Sequence, residues 1–168
     1  MNQKIILISG FAGSGKTITG ELLHEKLGSC ARIESDFLIL VKPFIRGENL
    51  SHLKIQNTVD VAHNFLKEKY KNLLIVGAIW NQKELDQFVS AFPGSKYDIS
   101  LFWLDASKEI RLKRANLRQD PGDDRESIEE TEAIIGPVIF PLNIPGGKFY
   151  KIDVGNKTPE SIAQEIME

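Results

Sequence analysis

Gly10-Phe11-Ala12-Gly13-Ser14-Gly15-Lys16-Thr17 matches G-x-x-x-x-G-K-[ST]. Glycines at this spacing let successive backbone N–H groups turn inward as an anion nest, and a helix opening at Lys16 would aim its positive dipole end at the same point. An ammonium there reaches the outer phosphates of a nucleotide, and the Thr17 hydroxyl is a Mg²⁺ ligand. Gly10, Gly13, Ser14, Gly15, Lys16, Thr17 and Ile18 are the expected nucleotide contacts.

Such a loop works only between a strand and a helix, and the flanks supply both. Lys4–Ser9 is a β-branched run that stops at glycine, which reads as a strand buried on both faces. Lys16–Leu27 carries Ile18, Leu22, Leu23 and Leu27 at helical spacing, and Gly28 supplies a stop. Beyond it, Ala31–Glu34 reads as a second strand, and Ser51–Tyr70 as a helix with Leu53, Ile55, Val59, Ala62 and Leu66 on one stripe. Leu73–Val76, Asp98–Leu104 and Phe149–Val154 complete five strands. Helices are expected around Leu85–Val89, from Ser107 to Arg118, and after the Thr158-Pro159 cap. This alternation predicts an α/β three-layer sandwich with a five-stranded parallel sheet, formed as a single domain over 1–168. Gln119–Arg125 and Pro141–Gly147 read as loops, and the Glu126–Glu132 stretch between them as an acidic helix start.

Composition narrows the partners. The 168 residues hold 21 basic and 23 acidic side chains, a net charge of -2, which lacks the basic excess of a nucleic-acid or membrane-surface binder. The longest wholly apolar run, Phe37–Val41, is far short of the roughly 20 residues of a bilayer span, and Ile5–Ile8 is too short for a secretory signal. With Cys30 alone, neither an internal disulfide nor a cysteine-rich zinc site is expected. His24, His52 and His63 show no ligand spacing. The expectation is a cytoplasmic protein, monomer or homodimer, bound to neither nucleic acid nor membrane.

With these features in order, the chain resembles the P-loop kinases of small molecules: nucleoside monophosphate, shikimate, gluconate and adenylylsulfate kinases and the antibiotic phosphotransferases. The resemblance implies ATP and Mg²⁺ as cofactors, an acidic group after the second strand, a lid bearing arginines and an adenine-contacting loop after the last strand. Glu34-Ser35-Asp36 matches the acidic group, and Arg111, Arg114 and Arg118 lead into a lid segment near 114–135. Asp36 is the expected base, because in phosphoryl transfer one carboxylate within reach of the acceptor hydroxyl suffices beside Mg²⁺. No acid ends the third strand, so Glu34 or Asp36 would serve the metal with Thr17. Arg114 and Arg118 fit an R-x-x-x-R pattern for the transferring phosphoryl group, since arginine forks two phosphate oxygens at once; the alternative is a solvated basic helix face. Asn156, Lys157 and Pro159 would border the adenine, or simply cap a helix. The acceptor site implied between the second and third strands brings in Arg46, Trp80 and Asn81, with surface or core filler as the alternative for the first two.

Departures argue against the substrates of the named families. Gly77-Ala78-Ile79-Trp80-Asn81 stands where monophosphate kinases carry Asp-Gly-aromatic-Pro-Arg and shikimate kinases a triple glycine. Asn156-Lys157-Thr158-Pro159 lacks the aspartate of the GTPase pattern Asn-Lys-x-Asp. The magnesium acid of motor and chaperone ATPases has no counterpart in these residues, and their extra domain is not expected. The layout is nearest to the antibiotic phosphotransferase and toxin-kinase type, in which a Ser/Thr-Asp pair follows the second strand. The expectation is a phosphotransferase for a small hydroxyl-bearing acceptor; the alternatives are a nucleotide-binding regulatory or interaction module with little turnover, and a nucleoside monophosphate kinase.

Overall fold

The computed structural model describes residues 2–44, 47–93, 96–118 and 125–168, without the side chains of 118 and 125–127. The elements run β1 Gln3–Ser9, α1 Lys16–Lys26, β2 Cys30–Glu34, a 3₁₀ turn Ser35–Ile39, α2 Glu48–Lys67, β3 Asn72–Val76, α3 Gln82–Ser90, β4 Tyr97–Asp105, α4 Lys108–Arg118, α5 Arg125–Ile135, β5 Lys148–Asp153 and α6 Pro159–Met167. The strands form one five-stranded sheet in the order β2-β3-β1-β4-β5. Every pairing is parallel, as the strand–helix alternation requires.

Two apolar layers cover the sheet because strand side chains alternate. Ile5, Leu7, Leu73, Ile75, Leu101 and Trp103 face α2 and α3 through Ile55, Ala62, Leu85 and Phe88. Ile8, Leu74, Val76, Phe102, Leu104 and Ile152 face α1 and α6 through Leu23, Ile162 and Ala163. Central strands buried on both sides are the reason β1 and β3 read as unbroken apolar runs.

Several local expectations shift. Helix α1 stops at Lys26, and the left-handed residue beyond it is Ser29 (φ 47°) rather than Gly28. Leu53, placed on the apolar stripe of α2, is exposed, as is Ile18 of α1; the buried stripe of α2 is Lys54, Thr58, Ala62 and Leu66, with Ile55 beside it. Helix α2 also begins at Glu48, three residues early, and ends at Lys67, before Lys69 turns left-handed (φ 62°). The Thr158 side chain accepts from Ser161 N with Pro159 in the first turn, the expected cap. Among the described residues no helix is long and apolar enough to cross a membrane.

Candidate active site

The chain leaves β1 toward β2 on one side and later returns to β4 on the other, so the C-terminal ends of the central strands open into a crevice, where ligands of parallel α/β sheets bind. The phosphate loop sits there. Gly10, Gly13 and Gly15 all have positive φ (143°, 79° and 96°). At Gly13 the constraint is double, because a Cβ would also stand 3.0 Å from Arg111 Cβ on α4. Ser14 N donates to Phe11 O at 3.2 Å, closing the loop, and Lys16 Nζ donates to Phe11 O at 3.1 Å. The Ser14 hydroxyl is buried with no hydrogen-bond partner among the described residues.

Lys16 and Thr17 line a cleft of about 350 Å³ whose opposite wall holds Asp36, Lys54 and Trp80. Asp36 is in the first turn of Ser35–Ile39, and its carboxylate is two-thirds exposed. A Cβ on Gly77 would stand 3.5 Å from Asp36 Oδ2, and Gly77 holds φ at 77°, so the end of β3 and Asp36 meet where only glycine is unstrained.

Behind Asp36 lies Lys54, which sequence reasoning missed. Its side chain is 1% exposed; Nζ donates to Gly77 O at 2.9 Å, stands 3.6 Å from Asp36 Oδ1 and lies 3.6 Å from the centre of the Trp80 ring. Burial pushes its ammonium below the ordinary lysine range, against the pull of Asp36 and Glu84. Glu84 is buried too, and burial raises its carboxyl although Trp80 N donates to it at 2.7 Å. The signal for Lys54 was its place four residues before Thr58 and eight before Ala62, a charge on the core stripe of α2.

Other expected residues part company. Asn81 does not face the cleft: its side chain caps α3, accepting from Glu84 N at 3.0 Å, and Glu84 answers toward Trp80 N as in a capping box. Glu34 is also off the cleft, ion-paired with Arg32 and close to Gly20 of α1; burial lifts its carboxyl while Arg32 pulls it down. Among the described residues that line the cleft with Thr17, Asp36 is the carboxylate. Arg46 and the loop residues 119–124 lie outside the described residues, as does the side chain of Arg118.

The arginines of α4 hold the loop from behind. Arg111, 2% exposed, donates to Ala106 O at 3.2 Å and Ala12 O at 3.3 Å, and pairs with Glu132 of α5. Burial opposes ionisation of Glu132, but Arg111 and Lys108 outweigh it and hold its carboxyl below the ordinary range. This pairing sets α5, whose Thr131 and Ile134 close one side of the cleft. Arg114 donates to Ser14 O at 3.2 Å and Val154 O at 2.9 Å, linking the phosphate loop to the segment after β5. In that segment Asn156 and Lys157 are exposed and Pro159 opens α6, all outside the cleft lining.

Comparison with known proteins bears on the family and the fold. The model of a family described as an AAA domain matches residues 5–133. A cytidylate kinase of Methanobrevibacter smithii is 28% identical over 97% of this chain and 96% of its own length. Among solved structures, a sugar kinase from Janibacter sp. superposes with a TM-score of 0.76 at 13% identity, covering 99% of this chain and 93% of that one. A gluconokinase from Sinorhizobium meliloti gives 0.70 at 15% identity, over 97% and 89%. At identities this low, the superpositions on the solved structures show the shared fold alone.

Proposed function

This chain belongs to the AAA-domain family that spans residues 5–133, with the fold of the P-loop small-molecule kinases, and from that premise we propose that it transfers the γ-phosphoryl group of ATP to a hydroxyl of a small acceptor. As a kinase-like P-loop NTPase it has the parts such a transfer needs in one crevice. The observation that carries the reading is the convergence of Lys16 and Thr17 with Asp36 on one cleft, with Asp36 braced by a buried lysine.

The residues suit Mg-ATP on their own chemistry. The glycine conformations of the loop and the buried, unpartnered Ser14 hydroxyl suit a backbone cradle for phosphate oxygens. Mg²⁺ keeps several waters and takes only one or two carboxylates beside phosphate oxygens, so Thr17 and Asp36 fit it without a larger cluster. Bound Mg-ATP would supply the electrophilic phosphorus. In this reading Lys16 neutralises the outer phosphates and Asp36 orients the acceptor hydroxyl and takes its proton. The oxygen–phosphorus bond then forms as the bond to ADP breaks. Arg114, bonded to both the phosphate loop and Val154 O, would border the nucleotide rather than the acceptor.

The test is ADP release from purified protein with Mg-ATP against pools of sugars, hydroxy acids, nucleosides, nucleotides and aromatic alcohols, with Lys16→Ala as the blank. Stimulation by one pool that is absent in the blank supports the proposal. Tight ATP binding with no stimulation by any pool overturns it in favour of a binding module. A second reading, a nucleoside monophosphate kinase, draws on the cytidylate kinase relative; stimulation by CMP alone would select it.

A further inference from the structure

A buried ammonium has to be held from more than one side. Among the described residues, Lys54 faces Asp36 from the turn after β2, Gly77 O from the end of β3, the Trp80 ring and Glu84 of α3. Burial works against the Lys54 ammonium, and the charges of Asp36 and Glu84 work for it. The two carboxylates differ in their surroundings. Asp36 is two-thirds exposed, so water screens it, whereas Glu84 is 6% exposed and acts on Lys54 through the protein.

Glu84 also fixes what surrounds Lys54. Its Oε2 accepts from Trp80 N at 2.7 Å, and Ser51 of α2, one turn before Lys54, hydrogen-bonds its side chain. Trp80 is thereby held with its ring centre 3.6 Å from Lys54 Nζ, a cation–π contact. Ser51, Lys54 and Trp80 all line the cleft with Asp36. The cap of α3 does not need the carboxylate charge: Asn81 Oδ1 accepts from Glu84 N at 3.0 Å, a main-chain bond that an uncharged side chain at 84 would keep. Burying a carboxylate costs free energy, and the contacts that offset the cost here lead to the wall that holds Asp36.

We infer that Glu84 is a positioning residue for Asp36: it fixes Trp80 and Lys54 against one another, and Lys54 in turn holds Asp36 at the cleft. The placement of Trp80 and Lys54 stands on the contacts themselves. Its effect on phosphoryl transfer rests on the kinase reading above, and the experiment separates the two.

Glu84→Gln keeps a carbonyl that can accept from Trp80 N and deletes the charge. The first readout needs no turnover. The chain has two tryptophans, so fluorotryptophan labelling of the whole protein gives two fluorine resonances, and Trp80→Phe assigns that of Trp80. The Trp80 resonance should shift in Glu84→Gln and in Lys54→Met while that of Trp103 stays; an unshifted Trp80 resonance in Glu84→Gln overturns the inference. The second readout is ADP release from Mg-ATP with the same acceptor pools of sugars, hydroxy acids, nucleosides, nucleotides and aromatic alcohols. Glu84→Gln should lower kcat by about three- to tenfold with the KM for ATP unchanged, and should add little to the loss in Lys54→Met, because it acts through that lysine. Losses that simply multiply in the double variant overturn the inference. Asn81→Ala removes the cap of α3 and should lower the urea midpoint with kcat kept; a fall in kcat equal to that of Glu84→Gln would make Glu84 part of the cap only, and overturns it as well. Glu84→Asp keeps the charge on a shorter stem, should move the Trp80 resonance and kcat in the same direction by less, and carries the test if Glu84→Gln does not fold. If no pool stimulates the wild type while the Trp80 resonance shifts as expected, the placement of Trp80 and Lys54 by Glu84 stands and the kinase reading fails.

Discussion

Replacing Lys54 with methionine keeps an unbranched side chain of similar length in the buried position and deletes the cation behind Asp36. For the 3.6 Å separation of Nζ and Asp36 Oδ1, Coulomb's law gives about 1.2 kcal/mol at the dielectric of water and about 4.6 kcal/mol at an effective value near 20. Asp36 is two-thirds exposed, so the pair lies toward the weaker limit, about 1–2 kcal/mol. If that energy holds Asp36 in its working position, Lys54→Met lowers kcat/KM for the acceptor by about tenfold, at 1.4 kcal/mol per decade. Stability should change little by comparison. Burial of an ammonium costs free energy, which its depressed pKa records, and relief of that cost offsets the lost bond to Gly77 O, a bond worth about 1.5–3 kcal/mol. The assay is steady-state kinetics over the acceptor concentration at saturating ATP, alongside urea unfolding. Wild-type kcat/KM in the folded variant would refute the positioning argument. A loss of activity that only tracks a loss of folded protein would reduce Lys54 to a structural residue.

The depressed pKa of Lys54 has its own consequence: the unfolded chain keeps the lysine proton to higher pH than the folded protein, so the urea midpoint should rise with pH between the folded pKa and the ordinary lysine value. Lys54→Met should flatten that rise. Asp36→Asn should lower kcat by at least about a hundredfold with ATP affinity nearly kept, since a positioned base contributes 10²–10⁴-fold; wild-type turnover would remove Asp36 from the role of base. Gly77→Ala should cost about 1–2 kcal/mol in urea unfolding, because a Cβ opposes φ of 77°, and the same variant tests whether the end of β3 sets Asp36. Arg111→Leu leaves Glu132 with Lys108 alone and takes the Arg111 donor from two loop carbonyls, a loss of about 1–3 kcal/mol, and should raise the KM for ATP through a loosened phosphate loop.

How much of the site could be read in the chain follows from how each part is built. The phosphate cradle is made by one loop and the helix it opens, so its residues are neighbours in sequence and their spacing is the geometry. The parallel sheet was legible for a related reason: strands covered on both faces are apolar at every position, and β1, β3 and β4 have such runs. The acceptor wall gathers the turn after β2, the first half of α2, the end of β3 and one face of α5, and no spacing rule joins them. Phe37–Val41 showed its apolar character but not that a 3₁₀ turn would leave Phe37 and Leu40 in the open. Its place after β3 makes Asn81 look like an acceptor contact, whereas Glu84 three residues on makes it a helix cap.

Lys54 is the instructive case. A lysine between Leu53 and Ile55 looks like the solvent side of an amphipathic helix, yet it shares its face with Thr58, Ala62 and Leu66, which all pack inward. A helix stripe that breaks its apolar rule with a charge must bring that charge a partner, and the partners here come from three separate places: Asp36, Gly77 O and Glu84. Two of them directly follow the strands that border the crevice, so the compensation that allows a buried cation also ties Asp36, the proposed base, to the end of β3. The cost of burying Lys54 is thus borne at the point where the position of Asp36 matters to the reaction. That is the pattern expected when a local violation of core polarity is retained for function rather than for stability.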